Sequence, residues 1–384
     1  MLGAIIGDIV GSVFEWAPNR SKEFDLISEK SRFTDDSMMT VAAADALLHD
    51  GDYTRSYKHW ARTWPDAGYG RNFKKWFMSD GDEKGNSFGN GSAMRVSPVG
   101  WARNTIEDVL AEAQKSAEPS HNHPEGIKGA CAIASSVFLA RTGASKDEIK
   151  SYVTDKFGYD LTRTLDEIRP EYKFDVTCQG SVPQAITAFL ESESFEDAIA
   201  GAVSLGGDSD TQAAMAGAIA EAFYGGVPKR WIAMLNILMP QEAMHIASEF
   251  NKEYQGSRYN FFCCARESAD GRPAEKGLPL EIAELSPDDC RWWVREPDAE
   301  NEVWAFVTPS ELPHEAAVYF CTEEPMIFDT LIFKSFEDAF IALDRNGFDL
   351  LRETYGVEAG LAAHPRGIFR PESHPIFSSG ELWI

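Results

Sequence analysis

Two short segments, far apart in the chain, carry the side chains best suited to chemistry: Thr34-Asp35-Asp36 and Asp208-Ser209-Asp210-Thr211. Each segment precedes an apolar stretch of helical composition, so each lies where a helix begins. One interpretation is helix capping, because Asp and Thr are favoured N-caps and an acidic group at the positive end of a helix stabilises it by about 0.3–1 kcal/mol. A cap needs one side-chain oxygen, however, and each segment offers at least three.

The surplus of oxygens favours a site for hard divalent cations. If the two segments meet, they supply four carboxylates and two threonine hydroxyls, and carboxylates that close require positive charge nearby. Neither segment contains His or Cys. A donor set made only of oxygens suits Mg²⁺, Mn²⁺ or Ca²⁺ rather than zinc.

Three further stretches complete a pattern in the first two thirds of the chain. They are Gly3-Ala4-Ile5-Ile6-Gly7-Asp8 with Gly11-Ser12-Val13-Phe14-Glu15, Gly89-Asn90-Gly91-Ser92-Ala93-Met94-Arg95, and Ser120-His121-Asn122-His123-Pro124. In this order, with the two acidic segments, they resemble the ADP-ribosylglycohydrolase family, of the dinitrogenase-reductase-activating glycohydrolase type, over residues 1–255. The resemblance implies an all-α fold, a binuclear magnesium centre and cleavage of the bond between ADP-ribose and an acceptor.

The resemblance also implies a metal-ligand set and two catalytic carboxylates within it. The ligands hold two Mg²⁺ ions, with Mn²⁺ as an alternative. Asp35 and Asp208 would also stabilise the positive charge that develops on the ribose during cleavage. The implied ligands are Thr34, Asp35, Asp36, Asp208, Asp210 and Thr211.

Glu15 is the predicted acid/base residue. It matches a glutamate that does this work in a subset of the family, and its neighbours Val13, Phe14 and Trp16 are apolar. Burial among apolar groups would raise the pKa of the Glu15 carboxyl, as a general acid requires. The alternative is a solvent-facing glutamate that pairs with Arg20. By the same resemblance, Asp8 is structural.

The loop at residues 85–91 is the predicted nucleotide contact. It is rich in Gly and Asn and precedes a helix start near Ser92, where backbone N–H groups and the helix dipole can bind a diphosphate. An ordinary turn has the same composition. The resemblance adds that Ser87 and Asn90 contact phosphate or ribose and that Phe88 stacks on the adenine. The predicted contacts in this loop are Ser87, Phe88, Gly89, Asn90 and Gly91.

Two histidines, His121 and His123, fall in a predicted loop closed by Pro124. His121 has two open interpretations: it lines the nucleotide pocket, or it is a satisfied structural histidine. His123 is interpreted as structural. The other six of the 8 histidines are scattered without metal-ligand spacing.

The elements that must position these residues are helices. Few alternating patterns occur in residues 1–255, and runs such as 129–140 are apolar nearly all round, which is typical of buried helices. The sequence therefore predicts an all-α multi-helix bundle as the catalytic domain at residues 1–255. The clearest predicted helices are 41–49, 53–63, 105–117, 127–141, 182–191, 195–204, 211–224 and 242–252.

Beyond a linker at Gln255-Gly256-Ser257, the pattern changes to that of a small α+β C-terminal domain at residues 256–384. Strands are predicted at 290–295, 302–307, 317–321 and 331–333, followed by helices at 336–346 and 348–355. This part has more than twice as many acidic as basic residues, which would suit a basic protein partner. Its role is not indicated by any motif.

The charge of the whole chain limits its partners. A formal net charge of −25 on 384 residues argues against nucleic acid or an anionic membrane. ADP-ribose is also anionic, so cations must reverse the local field at the site.

The first eight residues lack the basic region of a signal peptide, no apolar run reaches about 18 residues, and the 6 cysteines lack a CxxC spacing. We therefore expect a cytoplasmic protein with reduced thiols.

Two classes of function remain open at this level. The first is a magnesium-dependent hydrolase that removes ADP-ribose from a protein side chain or small molecule. The second is a catalytically idle ADP-ribose-binding protein, or an immunity-type protein that counters an ADP-ribosyltransferase by binding. Retention of the six ligands and Glu15 favours the enzyme. The acceptor, whether arginine, serine, a polymer linkage, a nucleobase or a metabolite, is left open.

Overall fold

The computed structural model describes residues 1–28, 30–81, 83–256 and 258–259, together with five strand segments further along. The chain divides into two compact units. The first comprises Met1–Val227 and Glu249–Arg258, and the second comprises Pro228–Ser248 and Tyr259–Ile384. The predicted division into functional domains at residues 255 and 256 stays a prediction.

The first unit is helical. Up to residue 256, the described residues contain no strand, and the two isolated β-bridges join Asn86 to His121 and Gly89 to Thr177. Its helices are α1 (Leu2–Gly11), α2 (Asp35–Leu48), α3 (Tyr53–Thr63), α4 (Arg71–Met78), α5 (Gly91–Met94), α6 (Ser97–Ala102), α7 (Ile106–His121), α8 (Pro124–Arg141), α9 (Lys146–Phe157), α10 (Leu165–Ile168), α11 (Cys178–Glu191), α12 (Phe195–Val203) and α13 (Ser209–Phe223). Helix α14 (Lys229–Leu238) belongs to the second unit, and α15 (Gln241–Tyr254) belongs to the second unit up to Ser248 and to the first from Glu249.

The helix-rich prediction is confirmed, but several boundaries are wrong. Each of the eight predicted helices is present, but α2 begins six residues before its predicted start, α11 begins four residues before its predicted start, and α7 continues four residues beyond its predicted end, to His121. Pro119 lies inside its last turn. The connection to α8 is therefore only Asn122 and His123, and not a loop that includes His121.

Helices α1 and α13 pack in close backbone contact at the centre of the unit. A Cβ added at Gly3 would lie 2.2 Å from the Gly217 carbonyl oxygen, and one at Gly7 would lie 2.1 Å from the Ala213 carbonyl oxygen. At Gly11 it would lie 2.4 Å from the Asp210 Cα. Only glycine, repeated every four residues on one face of α1, permits this approach. The packing brings the C-terminal half of α1 to the start of α13.

The second unit contains an antiparallel sheet with the strand order β4-β3-β2-β1-β5. The four predicted strands are present, and β4 begins earlier than predicted. The helix predicted at 348–355 is wrong at residues 349–350, which pair with β1, because a long-range pairing overrides a local helical pattern. The helix predicted at 336–346 lies outside the described residues. The strands are β1 (Arg291–Arg295), β2 (Val303–Pro309), β3 (Ala316–Thr322), β4 (Ile327–Phe333) and β5 (Asp349–Leu350).

Within the described residues, no helix is both long enough and apolar enough to cross a bilayer. Cys131 and Cys178 are free and buried. The location of the protein in the cell stays a prediction.

Candidate metal centre and active site

Asp8 joins α1 to the start of α2. Its buried carboxylate accepts hydrogen bonds from the Thr34 N–H (2.8 Å), the Thr34 hydroxyl (2.7 Å), the Ser37 N–H (3.0 Å) and the Ser37 hydroxyl. Thr34 is the N-cap of α2, and its hydroxyl oxygen accepts a hydrogen bond from the Asp36 N–H at 3.3 Å. These bonds fix the first turn of α2, and therefore Asp36, against α1.

The start of α13 is positioned by a glycine turn and by the loop before α5. Gly206 and Gly207 have φ values of 70° and 80°, a region that favours glycine. Asp208 occupies the N-cap position without a side-chain capping bond. Its carboxylate instead accepts a hydrogen bond from the Asn90 side-chain amide at 2.6 Å. The capping interpretation therefore holds for Thr34 and fails for Asp208.

The two helix starts meet in space. The Thr211 hydroxyl donates to Asp36 Oδ2 at 3.1 Å, although the two residues are 175 positions apart in the chain. Carboxylate oxygens form two groups of three, and within each group they all lie within 4.8 Å of one another. Asp210 belongs to both groups. The groups are Asp8, Asp36 and Asp210, and Glu15, Asp208 and Asp210.

The donor atoms of these groups fit a divalent cation. Asp36 Oδ1 is buried and has no hydrogen-bond partner among the described residues. A buried acceptor left unsatisfied costs about 1–3 kcal/mol, and more when it is charged, so a cation beside Asp36 Oδ1 would remove a real penalty. Asp8 differs because it already accepts four hydrogen bonds, three at Oδ2 and one at Oδ1, which suits an orienting group, as the resemblance implies.

The charges of the cluster are in conflict when no cation is present. Burial, and then the charge of Asp210, raise the pKa of Asp36 well above its usual value. Burial and the charge of Asp208 do the same for Asp210. Burial also raises the pKa of Asp208, but the hydrogen bond from Asn90 opposes this shift because it favours the ionised form. Positive charge at this position would stabilise all the ionised carboxylates at once.

Asp35 lies at the margin of the cluster. Neither group of carboxylates found among the described residues contains it. It is half-buried, and its Oδ1 lies 3.4 Å from the position that a Cβ of Gly68 would take. Burial, followed by the charges of Asp8 and Asp208, raises the pKa of Asp35 to about 8. Its predicted roles as ligand and catalytic residue stay predictions.

Glu15 reaches the cluster from the segment that follows α1. It is half-buried and lies in one group with Asp208 and Asp210. Burial is the main reason that its pKa is raised, and the charge of Asp208 adds to the effect. A raised pKa favours the protonated form of a carboxyl, which is the form that a general acid needs. Glu15 therefore lies close enough to the acidic cluster for the predicted acid/base role.

Several backbone N–H groups of the loop at residues 85–91 donate to other atoms of the protein. The N–H of Ser87 donates to the Ser120 carbonyl (3.3 Å), and that of Asn90 donates to the Val176 carbonyl (2.8 Å). The Gly89 N–H donates to the Ser87 hydroxyl at 3.0 Å. These three N–H groups are therefore engaged, and α5 is only four residues long. These N–H groups already have partners within the protein, and the predicted contact of the loop with a diphosphate stays a prediction.

The side chains of the loop divide between the cluster and the surface. The Asn90 amide donates to Asp208 and, at 3.1 Å, to Ser181, so it positions Asp208. Phe88 is 47% exposed, with its ring centroid 5.4 Å from that of His123. Its outward ring is available for the predicted stacking on a base.

His121 and His123 have different environments. His121 ends α7 and is buried, and its Nδ1 lies 2.7 Å from the Ser120 hydroxyl oxygen. A Cβ at Gly91 would lie 3.0 Å from His121 Nε2, so His121 underlies the loop. Burial, with the charge of Arg95, holds the pKa of His121 well below its usual value. The His123 ring caps α8 by accepting from the Glu125 N–H at 3.2 Å, which agrees with a structural histidine.

Sequence reasoning missed residues that support the site. Arg95 is fully buried, with its guanidinium 3.9 Å from the Tyr57 ring centroid, and it donates to the Ser120 hydroxyl at 2.8 Å. Its presence in the Gly89–Arg95 stretch was a signal that went unused. Arg20 was considered only as a partner of Glu15, yet it donates to the carbonyls of Arg169 (2.7 Å) and Tyr172 (2.9 Å). Long-range contacts of this kind leave no local pattern.

The fold and the site define a helix-rich protein with a buried, oxygen-only acidic cluster at two helix starts. Residues 1–260 match the family model of the ADP-ribosylglycohydrolases, so the chain belongs to that family. Mouse (Mus musculus) ADP-ribosylhydrolase ARH3 is 28% identical, and the match covers 60% of this chain and 85% of that protein. ADP-ribosylarginine hydrolase Tri1 of Pseudomonas putida (strain GB-1) is 27% identical, covering 60% of this chain and 72% of Tri1.

A solved structure agrees with the fold. A chain of an ADP-ribosylglycohydrolase-related protein complex superposes with a TM-score of 0.53 at 25% identity, covering 66% of this chain and 97% of that chain. Family membership and the hydrolase names of the relatives confirm the prediction of an ADP-ribosyl hydrolase. The identity of the metal ions, the acceptor and the role of each side chain stay predictions.

Proposed function

We propose that this protein is a magnesium-dependent hydrolase that cleaves the glycosidic bond between ADP-ribose and an acceptor at a binuclear metal centre. The observation that carries the proposal is the pair of carboxylate groups that share Asp210, together with the buried Asp36 Oδ1, which has no hydrogen-bond partner in the described part of the chain. Two adjacent groups with one shared carboxylate suit two cations that lie close together. The relatives named ADP-ribosylhydrolase and ADP-ribosylarginine hydrolase support the bond that is cleaved.

The residues that would hold two Mg²⁺ ions, or Mn²⁺ in their place, are the six predicted ligands. When bound, the ions would supply the positive charge that holds the ribose hydroxyls and the anionic substrate and polarises water. Asp8 and Asn90 orient the ligand-bearing helix starts through the hydrogen bonds described above. The proposed ligands are Thr34, Asp35, Asp36, Asp208, Asp210 and Thr211.

Proton transfer is assigned to Glu15. Burial and the charge of Asp208 raise the pKa of Glu15, which favours its acid form beside Asp208. From this position Glu15 protonates the leaving acceptor and then accepts a proton from the attacking water. Cleavage at the ribose carbon develops positive charge, which Asp35 and Asp208 stabilise. The exposed ring of Phe88 stacks on the adenine, and His121 supports the loop from beneath.

The competing function is binding without turnover, including an immunity-type role against an ADP-ribosyltransferase. A binder has no need of an acidic side chain with a raised pKa beside the cluster, so Glu15 favours the enzyme. Contact of residues 256–384 with a protein partner and a cytoplasmic location belong to the same proposal. Nucleic acid and membranes are not expected partners, because the chain carries a net charge of −25.

The decisive experiment offers the purified protein several ADP-ribose conjugates and measures the release of ADP-ribose. Arginine-linked, serine-linked and nucleobase-linked conjugates are each tested with Mg²⁺, with Mn²⁺ and with excess EDTA. The proposal expects release from at least one conjugate with a divalent ion and none in EDTA. Full release in EDTA would disprove the metal requirement, and tight ADP-ribose binding without release from any conjugate would establish the binding function instead.

A further inference from the structure

Four basic side chains lie on one face of α3, away from the acidic cluster. Their spacing, at positions i, i+3, i+4 and i+7 of the helix, places them in one row. They line a cavity of about 710 Å³, which we call the basic pocket. Positive charge is thus concentrated there in a chain whose net charge is −25. The four residues are Arg55, Lys58, His59 and Arg62.

The Ser79 carbonyl oxygen accepts hydrogen bonds from two cations of this row. Lys58 Nζ and Arg62 Nη2 each donate to it at 2.9 Å. Lys58 also donates to the Gly81 carbonyl at 2.6 Å, and Arg62 Nε donates to the Phe77 carbonyl at 2.7 Å. Two positive charges are therefore held side by side by neutral acceptors.

Little negative charge offsets this pair. Lys58 is only 8% exposed, and within the described residues its ammonium group contacts carbonyl oxygens and the Trp76 ring but no carboxylate. Arg62 approaches Asp80 at 3.6 Å, but the Asp80 side chain is fully exposed, so solvent screens its charge. A buried cation without a counter-charge is costly. An anion in the basic pocket would therefore stabilise Lys58 and Arg62.

The extent of the row favours a ligand with more than one phosphate group. Arg55 and Arg62 are seven residues apart, which is about 10 Å along a helix, so a single small anion does not meet both ends of the row. Arginine pairs its N–H groups with phosphate oxygens. Hydroxyl groups line the same cavity and can also donate to phosphate oxygens. These hydroxyls belong to Thr54, Thr63 and Ser79.

We propose that the basic pocket binds the diphosphate group of a small molecule. Lys58 and Arg62 hold one phosphate, and Arg55 reaches the other. The pocket shares no residue with the acidic cluster, so it is a second site, and the inference does not depend on the proposed hydrolase function.

The test is calorimetric titration of the full chain in buffer freed of divalent cations by a chelating resin. Without such cations the acidic cluster repels anions, so it does not bind the probes. The probes are inorganic diphosphate, ADP and inorganic phosphate. Comparison of the first two distinguishes free diphosphate from the diphosphate of a nucleotide, and the third measures what one phosphate group achieves.

Three substitutions at exposed residues are compared with the parent. Arg55→Gln removes a cation at the end of the row, whose ion pair with Asp50 is also exposed. Asp80→Asn removes a repulsive charge from the lining. Arg163→Gln is the matched control, because Arg163 is an exposed arginine outside the pocket and pairs with Glu171 at 3.4 Å.

We expect the parent to bind at least one of the two diphosphate probes with a Kd below about 1 mM, and inorganic phosphate more weakly. Arg55→Gln should weaken diphosphate binding by about 3- to 10-fold, and Asp80→Asn should strengthen it by about 2- to 5-fold. Arg163→Gln should bind as the parent does.

Lys58→Gln removes the buried charge and should weaken diphosphate binding by at least about 10-fold. The three exposed substitutions decide the question if this variant does not fold. The proposal is overturned if the parent shows no saturable binding of either diphosphate probe, or if Arg55→Gln and Arg163→Gln weaken binding equally, which would indicate only the general charge of the surface. Equal affinity for phosphate and diphosphate would also overturn it.

Discussion

At the scale of single residues, some carboxylates of the site orient the helix starts through hydrogen bonds, and others keep oxygens that could bind a cation. Asp8 accepts four hydrogen bonds, three of them at Oδ2, while Asp36 keeps one buried oxygen that has no hydrogen-bond partner among the described residues. Asp208 is held by the Asn90 amide rather than by its own helix. Their different availability arises from the hydrogen-bond donors nearby and not from the residue type, since all three are aspartates.

Asp36→Asn tests the metal centre through stability. In the parent, Mg²⁺ at about 100 times its Kd should stabilise the fold by about 2.7 kcal/mol, which corresponds to a rise in Tm of roughly 5–10 °C. The variant should lose this rise and all hydrolysis, because the charge that binds the ion is absent. In EDTA the variant should melt at or above the parent temperature, since one buried charge has been removed.

The measurement is a pair of melting curves, in Mg²⁺ and in EDTA, for the parent and each variant. Asp80→Asn is the control, because the Asp80 side chain is fully exposed and its one ion pair within the described residues is with Arg62, at 3.6 Å. It should keep the Mg²⁺-dependent rise. A Mg²⁺ response in Asp36→Asn equal to that of the parent would remove Asp36 from the ligand set.

Glu15→Gln tests the proton-transfer role. The substitution keeps the shape of the side chain and removes the titrating group, so kcat should fall by about 10²–10⁴-fold while ADP-ribose affinity changes only a few-fold. Single-turnover rates and calorimetry measure the two quantities. Glu193→Gln, at an exposed glutamate, should match the parent in both. Parental turnover in Glu15→Gln would assign the proton transfer to another carboxylate.

At the scale of elements, the site depends on how closely α1 approaches α13. The glycines at every fourth position of α1 bring the two backbones together, so that Asp8 on α1 meets Asp210 on α13. Larger residues at those positions would separate the helices and the carboxylates with them. The Gly206-Gly207 turn sets the direction of the chain at the start of α13, and both residues have the positive φ that favours glycine.

Gly7→Ala is expected to destabilise the protein strongly. Its Cβ would lie 2.1 Å from the Ala213 carbonyl oxygen, and backbone atoms cannot move aside as a flexible side chain can. We expect a loss of about 1–3 kcal/mol or more in the free energy of unfolding, with a weaker response to Mg²⁺. Chemical denaturation with and without Mg²⁺ measures both effects.

Gly81→Ala is the matched control for this substitution. No atom lies within 4 Å of the position that its Cβ would take, and its φ is not in the positive range. Its free energy of unfolding should stay within about 0.5 kcal/mol of the parent. If Gly7→Ala were equally mild, the close packing of α1 on α13 would not be what holds the carboxylates together.

At the scale of the whole molecule, the boundary of the helical unit is set by the end of α15. Phe250 is fully buried, the Tyr254 hydroxyl donates to the Leu47 carbonyl at 3.0 Å, and the Gln255 amide donates to Glu221 at 2.9 Å. These residues belong to the first compact unit, which ends at Arg258. A hydrolase formed by this unit needs them whatever residues 259–384 contribute.

Truncation at two points tests this boundary. A chain ending at Arg258 should fold and release ADP-ribose from a small conjugate at close to the full-length rate. A chain ending at Ser248 lacks Phe250, Tyr254 and Gln255, so it should be unfolded or inactive. Circular dichroism and the release assay distinguish the outcomes. A folded but inactive chain ending at Arg258 would show that later residues help to build the active site.

The sequence by itself determined the features that are encoded locally. Helix-start signals and apolar runs predicted the main helices, and the order of five short stretches predicted the family, because capping preferences and motif order act over a few residues. The same local signals were misleading at 348–355, where residues 349–350 pair as a strand with β1. They also ended α7 too early, before Pro119.

Only the tertiary structure decided which side chains meet. The contact of Thr211 with Asp36 spans 175 positions, and the hydrogen bond of Asn90 to Asp208 spans 118. Nothing local distinguishes an aspartate that accepts four hydrogen bonds from one whose buried oxygen has no partner among the described residues, or indicates that the Trp16 ring stacks on the Phe174 ring. Burial and long-range packing fix these relations, because they decide which donors, charges and rings lie near each carboxylate after the chain has folded.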